Sequence, residues 1–170
     1  PVATYQRVGE AQTTQGSIGR CGAHTQIRLV SASGVDCEIG EPGEIWVKGA
    51  NNFSHYWNNP DATKEALVDG WFKTGDIGRI DAEGYIYIED RVKDMYISGG
   101  ENVYPAEIEG ILYGLEAVAE VAVIGVTDDK WGETGCAVVA LKPGATLTVA
   151  EMTACCEGKI APYKHPRHLH

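Results

Sequence analysis

The hydrophobic pattern changes type at Asp90, which limits the chain to a β-rich part followed by a part that mixes helix and strand. Before Asp90, apolar residues alternate in short runs. Gln26-Ile27-Arg28-Leu29-Val30 and Glu44-Ile45-Trp46-Val47-Lys48 each read as half-buried strands. Glu41-Pro42-Gly43 between them is a turn, since Pro presets φ and Gly accepts the positive φ that many turns need. Asn59 caps a short helix running to Leu67, with Pro60 at its first position. Residues 77–80 and 85–89 then read as strands in hairpin style around Asp81-Ala82-Glu83-Gly84.

After Asp90 the period lengthens. Tyr104-Pro105 opens a helix whose apolar residues Ile108, Ile111, Leu112 and Leu115 fall at i, i+3, i+4 and i+7. Residues 118–126 and 136–141 are strands, and Lys142-Pro143-Gly144 ends the second. Thr148-Val149-Ala150-Glu151 is a capping box for a helix reaching about Ile160. The expected fold class is α+β: a β-rich piece over 1–90 and a small α+β domain over 91–170.

The chain has 170 residues, 44% of them hydrophobic, which suffices for a real core. A net charge of −10 argues against non-specific nucleic-acid binding, which depends on Lys and Arg neutralising phosphates. A local exception is the basic end, with Lys159, Lys164, His165, Arg167, His168 and His170. The five cysteines include no C-x-x-C pair and are odd in number, so neither a disulfide framework nor a metal site is expected and a reducing cytoplasm fits. No apolar run approaches the roughly 18 residues of a membrane span. The chain opens at Pro1 without Met and stops at His170 without a helix-ending signal, so a fragment is expected.

Two segments carry chemistry. Gly70-Trp71-Phe72-Lys73-Thr74-Gly75-Asp76 reads as a Gly-rich turn between helix and strand. A carboxylate on a tight turn suits vicinal hydroxyls, such as those of a ribose, because ionised Asp only accepts hydrogen bonds. The second runs from Asp90-Arg91-Val92-Lys93-Asp94 through Ser98-Gly99-Gly100-Glu101 to Glu109. It reads as a charged linker, a β-turn at Gly99-Gly100 and a helix start. Dense charge where the fold type changes also suits a hinge, and the Gly pair leaves room for a ligand close to the backbone.

The long second segment resembles the hinge motif of the adenylate-forming superfamily, and Gly70 to Asp76 resembles its ribose-binding motif. Asn58-Asn59-Pro60-Asp61-Ala62-Thr63, Val123-Ile124-Gly125-Val126 and Trp131-Gly132-Glu133 are similar to further signatures of that family. The resemblance covers nearly the whole chain and leans to the acyl-CoA ligase branch through Lys93-Asp94-Met95 and Gly99-Gly100-Glu101-Asn102. It implies that Asp76 holds the ribose hydroxyls, that Arg91 reaches the same side of the nucleotide, and that Ile88 touches the nucleotide. It implies a hinge at Lys93 and a thioester-step loop at Ser98, Gly99, Gly100 and Glu101, beside the pantetheine passage. Lys164 and Arg167 become contacts for a CoA phosphate.

The family's phosphate-binding loop, its aromatic-Gly-x-Thr-Glu motif and its catalytic Lys are not among these residues, so the chain is expected to hold no catalytic residue and no metal ligand. The expected parent is a ligase that uses ATP, Mg²⁺ and CoA on a carboxylic acid, with a fatty acid as the working expectation and homo-oligomers allowed. Two rivals stay open: a non-catalytic binding module, and an adenylating enzyme that loads a carrier protein or oxidises its adenylate.

Overall fold

The computed structural model describes residues 3–170, apart from the side chain of Ala11. The chain forms two compact units, one ending at Val92 and one beginning at Lys93. The division lies just past the change of pattern at Asp90, and Val92 is still tied to the first unit by its N–H donating to Gly75 O at 2.9 Å. The fold is α+β, as expected.

The first unit contains β1 (Thr4–Tyr5), α1 (Glu10–Thr13), β2 (Ser17–Cys21), β3 (Thr25–Val30), β4 (Gly43–Gly49), α2 (Pro60–Ala66), β5 (Leu67–Val68), β6 (Trp71–Ile80) and β7 (Tyr85–Arg91). Its sheet runs β1-β2-β7-β6-β4-β3, with β5 paired to β6. Leu29, Ile45, Val47 and Ile86 bury one face, and the alternation read from β3 and β4 is what turns those side chains inward. Asn59 caps α2, its Oδ1 accepting the Ala62 N–H at 3.1 Å.

Two expectations change here. The helix stops at Ala66, and residues 71–76, read as a turn, lie in β6. The turn is Asp69-Gly70, where positive φ values of 51° and 80° join Val68 to its partner Trp71. Glycine signalled a turn, but the β-favouring Trp71, Phe72 and Thr74 continue the strand, and Gly75 marks an irregularity within it.

The second unit contains β8 (Tyr96–Ser98), β9 (Glu101–Val103), α3 (Pro105–Leu112), β10 (Val118–Asp128), β11 (Gly132–Leu141), α4 (Val149–Cys156), a 3₁₀ turn at Pro162–Lys164 and β12 (His168–Leu169). Its sheet runs β10-β11-β8-β9, and β12 joins β11 in parallel. Ile108 and Leu112 of α3, Met152 and Cys156 of α4, and Val121, Val123 and Ala137 of the sheet share one core. Each large side chain buried there contributes about 1.5–3 kcal/mol.

The capping box forms as read, with Glu151 N–H donating to Thr148 Oγ1 and the Thr148 N–H donating to Glu151 Oε2. Both helices are shorter than their periodicity implies. Leu115 packs on the core from beyond α3, and α4 ends at Cys156. β8, β9 and β12 carry patterns too short to read locally; β8 and β9 pair with each other, and β8 and β12 each join the distant β11.

Candidate functional site

Of the residues that the resemblance points to in the first unit, Asp76 lies on β6 and Ile88 and Arg91 lie on the adjacent β7. Between Trp46↔Lys73 and Glu44↔Ile77, β4 advances by fewer residues than β6, so Thr74, Gly75 and Asp76 bulge. Side chains satisfy that bulge. Thr74 Oγ1 donates to Ile45 O at 2.8 Å, Gly75 N–H donates to Glu44 Oε1 at 3.1 Å, and Asp76 N–H donates to Thr74 Oγ1 at 3.1 Å. Gly75 takes φ +75°, a conformation that disfavours a side chain.

Asp76 is thereby set directly across from Arg91. Arg91 Nε lies 3.1 Å from Asp76 Oδ1, and no described residue donates to Oδ2. An ionised carboxylate with one oxygen held by a cation and one left to accept fits a vicinal diol. Arg91 itself is exposed, and its N–H donates to Asp90 Oδ1 at 2.7 Å. Ile88, three residues before Arg91, is also exposed.

In the second unit, Lys93 is the first residue and is exposed. Ser98 and Glu101 are the facing ends of β8 and β9, and Gly99-Gly100 forms the turn, with φ +62° and +88°. Two positive values in succession make this a turn of the I′ pattern, which favours Gly at both positions. The β-turn expected at Gly99-Gly100 is thus the tip of a tight hairpin. Ser98 is fully buried while Gly99, Gly100 and Glu101 face solvent.

The hairpin is braced by a residue not singled out as a site residue. Gly99 N–H donates to Trp131 O at 2.8 Å, and a Cβ on Gly99 would stand 2.8 Å from Trp131 Cε3. Arg167 lies over the same indole with its guanidinium carbon 4.8 Å from the ring centroid. Trp131-Gly132-Glu133 was visible in the sequence, but its contact with Gly99 depends on the β8–β11 pairing, which no local pattern reports.

Arg167 is exposed and has the chemistry of a phosphate contact. Lys164 is differently placed: its Nζ meets Glu107 Oε2 at 2.6 Å, so its charge is already paired. Among the described residues, no group of three or more His, Cys, Asp or Glu could hold a metal ion. The five cysteines are free, and among the described residues no helix is long and apolar enough to cross a membrane.

Residues 107–170 match the family described as AMP-binding enzyme C-terminal domain. The chain is 46% identical over 169 residues to an indoleacetate–CoA ligase of Aromatoleum aromaticum, covering 99% of this chain and 33% of that protein. It is 47% identical over 160 residues to the long-chain-fatty-acid–CoA ligase FadD13 of Mycobacterium tuberculosis, covering 94% of this chain and 31% of that protein. Among solved structures it is similar to the o-succinylbenzoate CoA synthetase MenE of Bacillus subtilis in complex with the acyl-adenylate OSB-AMP. There the TM-score is 0.89 at 37% identity, covering 100% of this chain and 35% of that one. The chain therefore spans about a third of the length of these relatives.

Proposed function

We propose a part in acyl activation for this chain, which belongs to the adenylate-forming, AMP-binding superfamily. The parent protein is an acyl-CoA ligase. It joins a carboxylic acid to CoA at the expense of ATP, with Mg²⁺ as the companion ion. Residues 1–90 are the β-rich end of its large domain, and 91–170 belong to its small C-terminal domain. ATP supplies the chemistry that converts the acid's hydroxyl, a poor leaving group, into AMP.

The observation that carries this reading is the Asp76–Arg91 pair on the β6 bulge. Asp76 accepts from the ribose hydroxyls through its uncommitted oxygen, while Arg91 keeps the carboxylate oriented. Ile88 offers an exposed apolar edge to the nucleotide. Lys93 is the hinge, a role supported by the division between units falling immediately before it. The Ser98-Gly99-Gly100-Glu101 hairpin serves the thioester step, its Gly pair leaving the pantetheine of CoA room beside the backbone. Arg167 contacts a CoA phosphate, and Lys164 joins it only by exchanging Glu107 for that phosphate.

The relatives act on an indole acid, long-chain fatty acids and an aryl dicarboxylate, so the acid is assigned only as a carboxylate, with a fatty acid the first to assay. Five free thiols favour a reducing cytoplasm. The family's phosphate loop and catalytic Lys are not among the 170 residues, so these residues alone do not catalyse adenylation.

The test is thioester formation by a full-length enzyme carrying this chain, with ATP and a panel of fatty and aryl acids. Free CoA and an acyl carrier protein are offered separately as acceptors. ATP-dependent acyl-CoA formation supports the reading. Transfer to the carrier protein alone would replace it with carrier loading, and an absence of pyrophosphate release would remove the ligase assignment.

A further inference from the structure

The turn that joins β10 to β11 touches the Gly99-Gly100 turn, and a single carboxylate holds it. Asp128 ends β10 and faces Gly132 at the start of β11. Its Oδ1 accepts two backbone N–H groups, from Lys130 at 2.9 Å and from Trp131 at 2.9 Å. Those two bonds hold the Trp131 peptide, while Lys130 and Arg167 lie over its ring. The Trp131 carbonyl then accepts the Gly99 N–H at 2.8 Å, and its ring occupies the space beside Gly99 that a Cβ would need. Gly132, next in sequence, pairs with Ser98, next to Gly99.

Asp128 and Gly99 are thus linked through one residue by backbone hydrogen bonds and one aromatic contact. The two accepted N–H groups also hold the Asp128 carboxyl below its usual range, as expected for an acceptor whose charged form is the bonded one.

We propose that Asp128 is a positioning residue for the Gly99-Gly100 turn, acting through Trp131. Its functional side rests on the reading that this turn serves the thioester step. Asp128 lies at a hairpin end, near enough to Arg167 and His168 for their charges to act on its carboxyl, but its two hydrogen bonds go only to the backbone of its own turn. Its effect is to keep the Gly99 amide and the open face of the turn in one place, so that a ligand meets a preorganised backbone.

The test compares Asp128→Ala, which removes the acceptor, with Asp128→Asn, which keeps an oxygen at the same position but not the charge. Amide hydrogen exchange in the 170-residue chain reports on the turn without reference to any ligand. The Gly99 amide should exchange about tenfold faster in Asp128→Ala and within about twofold of wild type in Asp128→Asn. The Val123 amide, bonded to Glu109 Oε1 away from this turn, should keep its protection in both.

Unchanged Gly99 exchange in Asp128→Ala overturns the proposal. So does equal acceleration at Gly99 and Val123, which would make Asp128 a support of the whole unit. In the full-length enzyme, Asp128→Ala should slow single-turnover acyl transfer to CoA about tenfold and adenylate formation less than about twofold, with Asn restoring transfer. If Gly99 responds and transfer does not, the positioning role stands and the thioester assignment of the turn fails.

Discussion

Asp76 and Arg91 face each other across β6 and β7, and the guanidinium holds one carboxylate oxygen while leaving the other to accept. Arg91 is 59% exposed at its side chain, so the pair stabilises the fold by only about 0.2–1 kcal/mol. Its value to a nucleotide is larger, since a charged hydrogen bond is worth about 1.5–3 kcal/mol. Asp76→Ala in the full-length enzyme should therefore reduce kcat/KM for ATP by about ten- to a hundredfold while thermal stability barely moves. Steady-state ATP kinetics beside a thermal melt make the check, and unchanged ATP kinetics would remove the ribose role.

Lys93 opens the second unit immediately after the last backbone bond of the first, from Val92 to Gly75. Lys93→Pro fixes φ near −65° and deletes a donor. Adenylate formation should be spared while transfer to CoA slows by about a hundredfold, or roughly 2.7 kcal/mol of barrier. Lys93→Ala should be milder. Single-turnover measurement of each half-reaction decides: equal slowing of both points to lost packing, and no slowing of either means the chain does not pivot there.

Two glycines should respond to alanine in opposite directions. Gly125 pairs with Gly135 across β10 and β11, and Tyr96 lies against both; a Cβ at Gly125 would stand 2.5 Å from Tyr96 Cβ. Gly125→Ala should destabilise by about 1–3 kcal/mol through overpacking. Gly110 lies inside α3 with no atom within 4 Å of its would-be Cβ. Gly110→Ala should stabilise by about 0.5–1 kcal/mol. Urea unfolding of the chain measures both, and two losses would mean α3 is not helical at Gly110.

The capping box of α4 sets a pH dependence. Bonds from the Thr148 hydroxyl and Thr148 N–H hold the Glu151 carboxyl below its ordinary 4.5. A depressed carboxylate contributes stability that is fully present above pH 4.5 and disappears as pH falls through the lower folded value. Glu151→Ala should consequently destabilise at pH 7, and the gap from wild type should close in acid. Thr148→Ala should cost about 1 kcal/mol at pH 7 through the lost cap. Paired denaturant titrations at pH 7 and pH 3 give the sign; a gap that widened in acid would contradict the capping geometry.

The Asn59 cap, the Thr148–Glu151 box, the α3 stripe at Ile108, Ile111 and Leu112, and the Asp81–Gly84 turn were all legible in the sequence, because each is made by residues within a few positions of one another. Helix ends were less legible: the apolar spacing that signals α3 continues to Leu115, which packs on the core without being helical. The site was legible as residue types and motifs, but its geometry was not. Asp76 sits on a strand bulge because β4 and β6 fall out of step, and only pairing decides that register. Lys164 reaches Glu107 from 57 residues away, and Gly99 rests on Trp131 through strand pairing between β8 and β11. Sequence determined which side chains could do chemistry and which segments favoured helix or strand, through short-range sterics and hydrogen bonding. Tertiary structure alone decided which of those side chains meet, because β-register and long-range ion pairs depend on partners that no local pattern identifies.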